Sequence, residues 1–128
     1  MKQGIYVTIW LISFLLLSSC TRQHNHNILL VQVDSLMEEY PDSALRILES
    51  VEPQQLKVQA DKAYYALLLT QARDKNYIVQ TDDSLIRIAI KHYDSAENIP
   101  MQAKAYYYKG CIYSCLLYTS DAADEEDS

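Results

Sequence analysis

Three histidines and three cysteines are the side chains of this chain best suited to metal or redox chemistry. His24 and His26 flank Asn25 in a polar stretch. A closed metal site takes three or four fixed ligands, and two histidines in a linker do not supply them, so both are read as solvated. Cys111 and Cys115 lie one helical turn apart. A redox or metal role for them needs further ligands or a partner outside that helix. Asp82 and Asp83 precede an apolar periodic segment, where acids cap a helix rather than perform acid–base work. There is no His-Glu-x-x-His and no nucleophile elbow. The chain has two glycines, Gly4 and Gly110, which cannot form a phosphate-cradling loop or a dinucleotide fingerprint. The expectation is a protein that is not an enzyme and holds no metal or cofactor.

The N-terminus carries a different chemistry. Lys2 supplies a positive end, and Ile5 to Leu17 is apolar apart from Thr8 and Ser13. That run falls short of the ~20 residues that a membrane-spanning helix needs and fits the apolar region of a secretory signal. Leu17-Ser18-Ser19-Cys20 follows, and this ending resembles a bacterial lipobox. The resemblance implies cleavage before Cys20, a diacylglyceryl group on the Cys20 thiol and acylation of the new N-terminus. Several acyl chains, at roughly 0.8 kcal/mol per buried methylene, anchor far better than one. An uncleaved signal anchor, or a plain signal with a chance cysteine, is the competing reading. The expected organisation is a signal over 1–19, a lipidated tether over 20–27, helical repeats over 28–114 and a tail over 115–128. Export to the bacterial envelope, lipid-anchored and facing the periplasm, is what the resemblance to a lipobox implies.

With 128 residues and 49% hydrophobic content, the chain is at most one ordinary domain with a real core. The scarcity of glycine argues against a sheet-rich fold. Of the net charge of −6, five negative charges fall in the last eight residues, so the body is near neutral and offers no basic patch for nucleic acid. From Ile28 onward apolar residues recur at three and four, which predicts an all-α fold. Leu29, Val33, Leu36 and Met37 form the first stripe. Pro41 bars continuation, and Asp42 or Ser43 can cap a second helix from about Ser43 to Val51. A long helix is expected from about Leu56 to Arg73. Ser84 to Ala96 is apolar nearly all round, as in a helix packed between neighbours. Another helix begins at Met101.

Two segments repeat. Lys62-Ala63-Tyr64-Tyr65 returns 42 residues later as Lys104-Ala105-Tyr106-Tyr107. The "DSALRI" that starts at Asp42 returns 41 residues later as "DSLIRI" at Asp83. Such a period in a helical chain means stacked antiparallel αα-hairpins. The pattern resembles tetratricopeptide-like repeats. Tyr106, Gly110 and Tyr113 fit the first helix of that motif, with Lys109 at its Leu position. Ala89, Tyr93, Ala96 and Pro100 fit the second, and Ala44, Leu48, Val51 and Pro53 fit it more weakly. The resemblance implies a truncated solenoid whose first helices line a concave groove for a protein or peptide partner. In the family, groove residues occupy the second and fifth positions of the first helix, here Lys62 and Tyr65, then Lys104 and Tyr107. A family clamp for peptide ends also uses Asn, and Leu69 and Cys111 stand in its place. Solvated lysine stems and packing tyrosines are the plain alternative.

After Ser114 the sequence "CLLYTSDAADEEDS" offers no second helix to cover the one before it. It resembles the translated read-through of a sequencing adapter at the broken end of an assembled gene; a real acidic, disordered tail is the other reading. Two functions are therefore expected in order: an exported, membrane-anchored scaffold that binds a protein or peptide, or the periplasmic sensor part of a longer membrane-spanning regulator with a helix-turn-helix output domain.

Overall fold

The computed structural model of the chain describes residues 2–16 and 27–126, so Cys20, His24 and His26 lie outside the described residues. The described residues form six α-helices and one short 3-10 turn, with no strand. The expected all-α class holds. Helix α1 spans Lys2–Leu16, and its apolar side chains from Ile5 to Ile12 are exposed. No described helix is long and apolar enough to cross a membrane.

Helix α2, Ile28–Leu36, starts where the Asn27 side chain accepts the Leu29 N–H. Its buried residues are Leu30 and Val33, and Met37 at the C-cap continues the stripe, at spacings of three and four. Leu29, expected on that stripe, is exposed, and Leu36 is only partly buried. Helix α3, Pro41–Ser50, begins two residues earlier than expected. Proline fits there because the first helical N–H needs no partner, so Asp42 and Ser43 fall inside the first turn and Tyr40 holds the cap position without a side-chain bond. Pro53–Gln55 then forms the 3-10 turn, and Leu56 is buried as an anchor of that loop rather than as a helix start.

Helix α4, Gln59–Lys75, is buried on every side from Ala63 through Ala72. Helix α5, Ser84–Ala96, buries only Ile86, Ala89, Ile90 and Tyr93, while Ile88 stays exposed. The helix packed between neighbours is therefore α4, where the sequence pattern pointed to α5. At the start of α5 the Asp82 carboxylate accepts the Ser84 N–H at 2.8 Å, and Glu97 ends the helix in the left-handed region at φ 53°. Helix α6 spans Ile99–Glu126, with Pro100 tolerated in its first turn. It remains helical past Ser114, where the sequence reading places the end of the repeats.

Helices α2 and α4 run parallel: the Asn27 N–H donates to Asp61 at 3.3 Å where both begin, the Tyr64 hydroxyl donates to Asp34 at 2.6 Å, and just past α2 Lys75 meets Glu38 at 3.0 Å. Helix α3 is antiparallel to α4: Tyr65 donates to the Leu48 carbonyl and the Asn76 amide to the Pro41 carbonyl. Helix α6 is antiparallel to α5, with Tyr113 on Asp83 and both Gln102 and Tyr106 on Asp94. Two apolar clusters result. One joins α2, α3 and the Tyr64, Tyr65, Leu68, Leu69 and Ala72 side of α4. The other joins α5, α6 and the Ala63, Ala66 and Leu67 side of α4.

Candidate functional site

Both Lys-Ala-Tyr-Tyr segments are helical, one in α4 and one in α6. They do not present the same faces. Helix α4 packs back on α2 and α3 through Tyr65, Leu68 and Ala72, whereas α6 packs back on α4 and α5 through Ala105, Tyr108 and Ile112. These packing positions repeat every 40 residues, two fewer than the sequence match. Two residues of helix are a rotation of about 200°, so matching side chains point to opposite sides. The Asp-Ser segments behave differently. Leu45 and Ile86, and Leu48 and Ala89, are buried pairs at the 41-residue spacing, and Arg46 and Arg87 are both exposed.

The four candidate groove residues accordingly split into two pairs. Lys62 and Tyr65 face α3 and α5. With Leu56, Ala66, Leu85 and Ile88 they line an apolar pocket of about 350 Å³. Tyr65 is buried, its hydroxyl donating to Leu48 at 3.3 Å, and burial pushes that phenol above its ordinary pKa. Lys104 and Tyr107 face α2 and α4. Lys104 Nζ lies 3.7 Å from Asp34 Oδ1. Tyr107 is 64% exposed, stands edge-to-face against Tyr108, and lines a shallow cleft with Asp74, Gly110 and Ser114. The four residues therefore do not form one groove.

Asp34 is the residue the periodicity missed. It receives Tyr64 from α4 and Lys104 from α6, so three helices meet at one carboxylate. A lone acid inside "ILLVQVDSL" was the available signal, since a charge in an apolar helix needs partners. Burial first, and then the bond to Asp34, pushes the Tyr64 phenol far above its usual range. The neighbouring Tyr93 hydroxyl is buried and has no hydrogen-bond partner among the described residues. These two tyrosines should respond in opposite ways to loss of the hydroxyl. Tyr64→Phe removes a bond to a charged group and is expected to cost about 1.5–3 kcal/mol. Tyr93→Phe removes an unsatisfied buried group and is expected to gain about 1 kcal/mol. Urea unfolding followed by circular dichroism measures both.

Among the described residues no cluster of histidine, cysteine and acid could hold a metal ion. Burial pushes the Cys111 thiol up, which lowers its thiolate fraction and its reactivity. Asp83 is held below the usual carboxylate range, first by Arg87 and then by the Tyr113 hydroxyl, so it serves as a clasp between α5 and α6. Comparison with family models, curated proteins and solved structures found no match to the chain.

Proposed function

We propose that the chain is a tetratricopeptide-like binding scaffold, held at the bacterial envelope by lipid on Cys20, with a protein or peptide as partner. The observation that carries this reading is the outer face of α6. At the 40-residue packing spacing, Tyr106 and Tyr107 correspond to Ala66 and Leu67 of α4, which are buried beneath α5 and α6. On α6 the same positions are 47% and 64% exposed. A solenoid repeat leaves a face of this kind for the next helix to cover, and a helical partner segment fits it. The row formed by Asp34, Tyr64 and Lys104 across α2, α4 and α6 gives the first-helix side a polar edge for register.

Selection of a displayed peptide library on the full chain tests the reading. Amphipathic helical sequences should emerge with saturable binding, and Tyr107→Glu should weaken them at least tenfold, because a charge then meets an apolar partner face. Selected peptides indifferent to Tyr107→Glu would remove the scaffold proposal. Anchoring is tested separately: Cys20→Ser should abolish palmitate labelling and move the protein from the detergent phase to the aqueous phase. Labelling that survives the substitution excludes lipid on that thiol.

A further inference from the structure

The apolar pocket on the α5 side of α4 has a chemistry that the scaffold reading does not use. It is lined by Leu56, Ala66, Leu85, Ile88 and the Tyr65 ring. Its volume of about 350 Å³ lies at the small end of ligand cavities. The Tyr65 hydroxyl is committed to Leu48, so the ring offers only its apolar face. The charge in the lining belongs to Lys62. Lys62 is half-buried and makes no ion pair among the described residues. Lys62 is the lysine of the pocket lining, whereas Lys75 and Lys104 are engaged elsewhere, by Glu38 and Asp34.

We propose that this pocket binds a medium-chain aliphatic monocarboxylate, with the chain among Leu56, Leu85 and Ile88 and the carboxylate on the Lys62 ammonium. The apolar lining favours an aliphatic body, because its burial removes hydrocarbon from water on both sides. One unpaired cation at the mouth matches one negative charge; a phosphate monoester would leave its second charge unmatched. An amine is excluded by repulsion from Lys62. The pocket lies on the face opposite Lys104 and Tyr107, so its occupancy does not depend on capture of a peptide by the scaffold.

The test is a titration of the full chain with octanoate in detergent-free buffer, read from the methyl resonances of Leu56, Leu85 and Ile88. Saturable shifts confined to these methyls are expected. Affinity should rise about fourfold per methylene from butanoate upward until the pocket is full. Lys62→Met keeps the aliphatic stem and removes the charge, and should weaken octanoate about tenfold. Ile88→Trp, at a position that is 46% exposed, should block the mouth without disturbing the core. The proposal is overturned if no saturable shift occurs, if octylamine binds as well as octanoate, or if either variant leaves affinity unchanged. Binding of a peptide with a C-terminal leucine in the absence of octanoate binding also overturns it.

Discussion

Leu67→Ala and Leu68→Ala should each cost about 2–5 kcal/mol, the range for truncating a fully buried leucine and leaving a cavity. Both residues have zero exposure, yet they belong to different clusters. Leu68 packs toward α2 and α3, and Leu67 toward α5 and α6. A domain of this size has a stability of roughly 5–15 kcal/mol, so either loss removes a large part of it. The adjacency of the two sites on α4 makes the pair informative. If α4 couples the two halves into one cooperative unit, each variant should lower the midpoint of a single urea transition, seen alike by circular dichroism and by methyl signals from both clusters. If the halves behave as weakly coupled repeats, Leu67→Ala should melt α5 and α6 first and leave the Leu30 and Leu48 signals native. Ile88→Ala, on an exposed face, should change stability by no more than about 0.5 kcal/mol. A Leu67→Ala effect as small as that would remove α4 from the centre of the fold.

The helical class was legible because apolar spacing at three and four is a direct record of which face is buried. The phase of each helix was harder to read. In α2, Leu29 and Leu30 are adjacent and equally apolar, and which of them turns inward depends on α3 and α4, not on the local pattern. In α5, apolar residues surround the helix, but Ile88 lies at the edge of the apolar pocket and stays exposed. The repeated Asp-Ser segments mapped onto matching burial because both lie at the start of their helices, α3 and α5, where proline or an Asp82 turn fixes the entry. The Lys-Ala-Tyr-Tyr segments did not, because the 40-residue packing interval and the 42-residue sequence interval differ by more than half a helical turn. That difference separates Lys62 and Tyr65 from Lys104 and Tyr107. Identity of sequence in a helix therefore fixes the rotational position of a side chain only when the helix start is matched as well. Here α4 opens after the Pro53 turn and α6 opens directly at Ile99.

Raising the pH above 10 should unfold the protein through its buried tyrosines. Burial pushes the Tyr93 phenol up to about 12. Burial, followed by the charge of Asp74, does the same for Tyr108, also to about 12, and Tyr64 is displaced in the same direction. In the unfolded chain a tyrosine loses its proton near pH 10. Between pH 10 and 12 the unfolded state therefore binds fewer protons than the folded state, and the stability of the folded state falls as pH rises. The contribution is complete below pH 10 and lost by pH 12. A two-unit difference corresponds to roughly 1–3 kcal/mol for each of Tyr93 and Tyr108, which together take up much of the stability of a small domain. Urea midpoints should hold steady from pH 8 to 9.5 and then drop steeply. Tyr93→Phe should flatten that drop by about one proton while leaving the fold intact, and Tyr93→Phe with Tyr108→Phe should flatten it by about two. An alkaline slope that is the same in these variants would mean that neither phenol is shielded from water. The Tyr93 side of α5 would then not be packed against α4, and the second apolar cluster would have to be assembled differently.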